Sequence, residues 1–315
     1  MPSSNTQRVK PPALRPGDVI GIIGPASHFG KSDLEAGCAA LERAGYRPFY
    51  FDSILDRELY FAGSVERRTR EFQEMFARED VRAIVCARGG YGANYLLPTL
   101  NVAQVTSHPK IFVGYSDLTA LMTYFLTAAN LITFHGPMVA KDWNRENGVD
   151  FFSWQSALSN SVPWDVPLGA EVGGLVDGEA EGILYGGCLS IVVASLGTPY
   201  QVKTAGTILF LEDVGEKPYQ IDRMLMQLKL GGHLQNIRGI VFGEMLDCAQ
   251  GPSQNYTLQE VIVRIVGDLG IPIAFGLRSG HVSSGNITLP LGVQARLTVS
   301  GGKVALKILE SAVET

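Results

Sequence analysis

Lys110-Ile-Phe-Val-Gly-Tyr-Ser116-Asp117-Leu-Thr-Ala-Leu-Met122 joins a strand to a helix within a dozen residues. Ile111, Phe112 and Val113 are a short apolar, partly β-branched run, the pattern of a buried strand. Gly114 then allows a sharp turn. Beyond it, Leu118, Leu121, Met122, Phe125 and Leu126 recur at the spacing of an amphipathic helix. Ser116 therefore stands where strand becomes helix, with the free N–H groups of a helix start beside its hydroxyl. The pattern is similar to a nucleophile elbow, although Leu118 takes the place of the second glycine in G-x-S-x-G. A competing reading is that Ser116 or Asp117 merely caps the helix.

Working outward, the same alternation repeats. Val19 to Ile23 is an apolar strand entering the loop Gly24-Pro25-Ala26-Ser27. Ser32 with Glu35 reads as a capping box for a helix carrying Leu34, Cys38 and Leu41. Arg47 to Phe51, Val81 to Ala87 and Leu131 to Phe134 read as further strands, and Ser64 to Ala77 as a helix. Strands alternating with helices predict a parallel sheet covered on both faces, with ligands gathered at the carboxyl ends of its strands. The loops 24–27, 88–92, 114–117 and 135–138 would share that edge. Residues 141–175 break the rhythm and read as a connection holding Trp143, Trp154 and Trp164, with a helix near 150–158. The second half reads as short strands with helical stretches at 189–196, 219–230 and 258–269, an α+β or mixed domain.

Composition narrows the class. At 315 residues two domains are expected, and 46% hydrophobic residues can bury a large core. A net charge of -5 without a long basic run gives no support for nucleic-acid binding. No apolar run is long enough to cross a membrane, and residues 1–16 lack the apolar core of a signal peptide. Cys38, Cys86, Cys188 and Cys248 are far apart, which fits reduced cytoplasmic thiols better than disulfides or a zinc site. No membrane, nucleic-acid or metal partner is expected.

A serine nucleophile needs a base, and the base an orienting acid. Of five histidines, His281 lies in a polar loop, Arg278-Ser-Gly-His281-Val-Ser-Ser-Gly-Asn286, after a strand. A surface histidine on a turn is the competing reading. His135, at another strand end, could line the same cleft. Ile208-Leu-Phe-Leu-Glu212-Asp213 is a fully apolar strand stopping in two carboxylates, which leaves Glu212 partly desolvated and able to hold an imidazole. Pairing of these carboxylates with Lys217 or Arg223 is the alternative. Arg88-Gly89-Gly90-Tyr91-Gly92 lacks the third glycine of a dinucleotide fingerprint, where Tyr95 stands. Its glycines could instead bring an N–H of Gly89 or Gly90 beside that of Asp117 as an oxyanion hole, with Arg88 for an anionic substrate.

Arg88-Gly-Gly-Tyr-Gly, Phe112-Val-Gly-Tyr-Ser116-Asp117, Phe134-His-Gly-Pro-Met138, Gly186-Gly-Cys-Leu-Ser190, Leu196-Gly-Thr-Pro-Tyr200, Phe210-Leu-Glu212-Asp213-Val-Gly-Glu216, Ile221-Asp-Arg-Met224, Gly280-His281 and Leu289-Pro-Leu-Gly292 resemble, in order, the motifs of the LD-carboxypeptidase family. That family joins muramoyl-tetrapeptide carboxypeptidases to microcin-immunity peptidases. The resemblance runs from about Pro16 to past Leu297. Cys188 departs from it, where asparagine is expected. The resemblance implies an N-terminal Rossmann-like domain (1–150), a connecting segment (151–175) and a smaller β-rich C-terminal domain (176–315), with the site between them. It implies Ser116 as nucleophile, Glu212 as acid and His281 as base, with no metal or organic cofactor. Gly90 and Asp117 are expected in the oxyanion hole, and Arg88, Gly89, Tyr91, His135 and Cys188 against substrate. The implied reaction releases the terminal D-alanine from cytoplasmic murein tetrapeptide, by a homodimer. The alternative within the family is cleavage of a peptidyl- or aminoacyl-nucleotide amide, for which one of the three tryptophans could stack on a base. A nucleotide-dependent oxidoreductase and a non-catalytic two-domain binding protein are the other rivals.

Overall fold

The computed structural model describes residues 8–159, 163–249, 251 and 254–314. The first half builds five parallel strands, β1 (Val19–Ile23), β2 (Arg47–Phe49), β3 (Val81–Cys86), β4 (Ile111–Gly114) and β5 (Thr133–His135). Between them run α1 (Lys31–Arg43), α2 (Val65–Ala77), α3 (Val102–Ser107) and α4 (Thr119–Ala128). Helices pack on both faces of the sheet, so the central strands β1 and β4 are buried along their whole length, while the edge strand β2 stays partly exposed. Phe72 and Phe76 of α2, Phe112 of β4 and Phe125 of α4 pack ring to ring in one of the cores.

The second half supplies α5 (Phe151–Leu158), β6 (Trp164–Asp165), β7 (Gly173–Val176), β8 (Gly178–Cys188), α6 (Leu189–Ala194) and β9 (Thr207–Glu212). It continues with α7 (Pro218–Leu230), β10 (Gly239–Gly243), α8 (Leu258–Val266), β11 (Ile273–Leu277), β12 (Leu289–Leu291), β13 (Gln294–Ser300) and β14 (Lys303–Ile308). The second sheet runs β6-β14-β13-β8-β9-β10-β11-β7, parallel in its four central strands β8 to β11 and antiparallel outside them. It is thus a mixed sheet, with α6, α7 and α8 as the crossovers of its parallel part. Strand β12 goes elsewhere: it pairs antiparallel with β5 and forms the edge of the first sheet. Pro290 is tolerated there because an edge strand has an N–H to spare. One apolar core runs through both halves, from Ile20, Val85 and Phe134 of the first sheet to Leu184, Phe210 and Leu277 of the second.

Two local expectations need correction. The helix expected to start on a Ser32–Glu35 capping box begins at Lys31, capped by Gly30 without a side-chain bond. Ser32 already lies in its first turn, and Glu35 pairs with Lys31 instead, at 3.6 Å. A Thr-x-x-Glu capping box is found instead at Thr257 and Glu260, at the start of α8. The helix expected near 150–158 is present as α5, capped by Asp150, but the described part of 141–175 is more than a connection: it also holds the last part of a π turn (Val139–Trp143) and the strands β6 and β7.

Candidate active site

Strand β4 ends at Gly114, and the chain turns through Ser116 at φ 64°, in the left-handed region. That conformation costs a residue with a Cβ about 1–2 kcal/mol, so the surrounding packing holds it there. One 3-10 turn, Ser116–Leu118, leads into α4. Gly114 has no positive φ; its role is to admit Leu118, whose Cβ lies 3.1 Å from where a Gly114 Cβ would be. The elbow is therefore real, with its unusual torsion on the serine.

The glycine loop packs directly on this turn. A Cβ on Gly89 would come within 2.8 Å of the Ser116 Cβ and 3.1 Å of its Oγ, so only glycine lets the loop approach. Asp117 is buried, and its Oδ2 accepts the Ala93 N–H at 2.7 Å, pinning the end of the glycine loop to the elbow. Burial raises its carboxyl to about 6, against the opposing pull of that N–H and of Arg68. Ser27 joins the neighbouring loop: its Oγ accepts the Tyr91 N–H at 3.1 Å, and its N–H donates to Gly89 O at 3.2 Å. Arg88 is exposed and donates to His28 O, while Gly90 and Tyr91 are exposed on the loop.

Arg68 was not expected here. It is 2% exposed, and one guanidinium nitrogen donates to both Pro25 O (2.7 Å) and Gly92 O (2.8 Å). It ties together the two loops that flank Ser116. The signal was present in α2, where Arg68 shares a helical face with Phe72 and Met75.

The second half brings the acid and the base together. Glu212, the last residue of β9, is fully buried. Its Oε2 accepts from His281 twice, from Nδ1 at 2.8 Å and from the backbone N–H at 3.0 Å. Burial alone would raise the Glu212 carboxyl, but His281 and His135 outweigh it and hold it down to about 2. Burial would likewise lower the His281 imidazole, and the Glu212 carboxylate reverses this, so its pKa is raised. No pairing with Lys217 or Arg223 competes: Asp213 is occupied by the Ser190 and Val214 N–H groups.

The ring of Tyr115, the residue before Ser116, lies edge-on to the His281 imidazole at 5.1 Å between centroids, which brings the imidazole against the elbow. No hydrogen bond joins the serine hydroxyl to the imidazole, a contact that in hydrolases tightens only in the complex with substrate. With Nδ1 engaged by Glu212, the Nε2 edge is left for proton exchange.

Two expected substrate contacts are placed otherwise. His135 is fully buried, with Nδ1 2.9 Å from Ser279 Oγ and Nε2 3.8 Å from Glu212 Oε1. Cys188 is 4% exposed, its N–H bonded to Thr119 Oγ1 and its sulfur 3.3 Å from Ser190 Oγ. Burial pushes its thiol well up. Both stand behind the reactive surface because strands β5 and β8 end inside the contact between the halves. The three tryptophans are also in the core, at 3%, 0% and 7% exposure for Trp143, Trp154 and Trp164, so none offers a stacking face.

A strained serine at a strand-to-helix turn, close to an imidazole held by a buried carboxylate, is the layout of a serine-type hydrolase. Residues 20–136 match the LD-carboxypeptidase N-terminal domain and residues 181–297 the LD-carboxypeptidase C-terminal domain. The chain is 34% identical over 294 residues to a probable murein peptide carboxypeptidase of Bacillus subtilis, covering 92% of each. It is 26% identical to the microcin C7 self-immunity protein MccF of Escherichia coli, over 93% of this chain and 94% of that one. The solved muramoyltetrapeptide carboxypeptidase of Oxalobacter formigenes superposes with a TM-score of 0.82 at 30% identity, covering 93% of this chain and 99% of that one. The chain belongs to the LD-carboxypeptidase family, and its activity is that of a serine-type carboxypeptidase.

Proposed function

We propose that this carboxypeptidase hydrolyses the amide between the L-centre of a diamino acid and the terminal D-alanine of murein tetrapeptide, in the cytoplasm, as part of peptidoglycan recycling. The observation that carries the reading is the doubly bonded Glu212–His281 pair beside the elbow of Ser116. Ser116 Oγ attacks the amide carbonyl while His281 Nε2 takes its proton, and Glu212 stabilises the imidazolium. The oxyanion is received by the N–H of Asp117 with that of Gly89 or Gly90. When the C–N bond breaks, His281 returns the proton to the amine of D-alanine. Water, deprotonated by the same imidazole, then releases the peptide from Ser116. In this reading Arg88 and Tyr91, exposed on the glycine loop, would receive the substrate, Arg88 taking its anionic groups. The working unit in this reading is a homodimer.

A second reading, cleavage of a nucleotide-peptide amide, has one observation in its favour. Tyr60, Tyr91 and Tyr95 are 52%, 42% and 45% exposed and lie ring to ring beside the glycine loop, where a base could stack. Murein tetrapeptide and a peptidyl-adenylate analogue, offered separately at equal concentration, distinguish the two. Higher kcat/KM on tetrapeptide supports the first reading; turnover of the adenylate analogue alone replaces it with the second.

A further inference from the structure

Glu212 has two carboxylate oxygens, and the reaction as proposed employs only one. Oε2 takes both bonds from His281. Oε1 is buried without a hydrogen bond and faces His135 Nε2 at 3.8 Å, itself buried without one among the described residues. A buried polar atom without a partner is costly, and here two complementary ones point at each other. An approach of under about 1 Å turns this contact into a charge-assisted hydrogen bond.

The other end of the His135 ring determines which nitrogen carries the proton. Nδ1 lies 2.9 Å from Ser279 Oγ, and Ser279 is fully buried. A carboxylate can only accept, so Nε2 must bear the hydrogen, and Nδ1 then accepts from the serine hydroxyl. Gly280 makes room for this. At φ +97°, a Cβ on it would come within 2.6 Å of Glu212 Cδ and 2.8 Å of His135 Cε1. The ring is closed in by Tyr115 and by Phe210, at 5.9 Å and 5.0 Å between centroids.

We propose that His135 is a positioning residue for the reaction: its Nε2–H, fixed in that tautomer by Ser279, holds the second oxygen of Glu212 so that the first stays aimed at His281. The chain of contacts is Ser279, His135, Glu212, His281, and only its last member is accessible. The lowering of the Glu212 carboxyl by His135 as well as His281 is in keeping with it. The inference rests on Glu212 and His281 working as proposed above.

The test compares His135→Phe, His135→Gln and Ser279→Ala with wild type on murein tetrapeptide, with thermal unfolding of each followed by circular dichroism. Ser116→Ala is run alongside. His135→Phe keeps the ring volume but donates nothing, and its kcat should fall about 10–100-fold with KM within about twofold. His135→Gln restores a donor and should recover most of that loss. Ser279→Ala frees the tautomer and should lower kcat about threefold to tenfold, which carries the test should His135→Phe not fold. Wild-type kcat in folded His135→Phe or in Ser279→Ala overturns the proposal, as does a glutamine variant no better than phenylalanine. Turnover surviving in Ser116→Ala would instead overturn the reading of the site itself.

Discussion

Ser116 carries the one torsion in the site that its side chain disfavours, and this separates chemistry from stability. Ser116→Gly and Ser116→Ala should both abolish turnover. The glycine variant should be the more stable of the two by about 1 kcal/mol, read from denaturant unfolding, because glycine enters the left-handed region without a Cβ clash. Equal stabilities would mean that the elbow is not strained. Glu212→Gln should lower kcat by roughly 10³–10⁴ and shift the acidic limb of kcat/KM downward, since the limb reports a His281 pKa raised above 6.5 by the carboxylate. The pair also stabilises the fold in a defined window. The raised His281 contributes fully below pH 6.5 and its share is lost as pH climbs through its folded pKa. The depressed Glu212 contributes above pH 4.5 and its share is lost as pH falls toward about 2. The Tm difference between wild type and Glu212→Gln should therefore be widest between pH 4.5 and 6.5. The three residues proposed for catalysis stand out in the sequence because each ends an apolar run or follows one. His135 ends such a run too, yet it is enclosed: position along a strand says nothing of what the other half of the chain lays over it. Arg68 was passed over because a charged residue on a helix is ordinarily solvated.

The loops around Ser116 are held by bonds between elements rather than by their own sequence. Asp117 fastens the end of the glycine loop to the elbow, and Arg68 fastens the glycine loop to the loop after β1. Asp117→Ala removes the acceptor of the Ala93 N–H and should cost roughly tenfold in kcat with faster amide exchange at Gly92 and Ala93. Asp117→Asn retains an acceptor oxygen and should stay near wild type; a loss as large as that of alanine would show that charge, rather than the bond, is what matters. At this scale the βα units of the first half were plain from periodicity. The strands of the second half were harder to read, because β6, β7 and β12 are two to four residues long and carry no period.

The whole molecule is stitched by β12, which leaves the second half to complete the edge of the first sheet, and by a core continuous between the sheets. Unfolding followed by far-UV and near-UV circular dichroism should give coincident transitions. Two separated transitions would contradict the shared core. Residues 1–150 expressed alone should lack a stable fold, having lost the strand that covers β5. Among the described residues, no helix is long and apolar enough to cross a membrane. In the proposed reaction the two halves bring a base from one to a nucleophile on the other, and that crossing is the central claim. It is tested most directly by following release of D-alanine from murein tetrapeptide by wild type and by Ser116→Ala under the same conditions. Release by wild type and none above background by the variant is the predicted result; D-alanine released at comparable rates by both would contradict it.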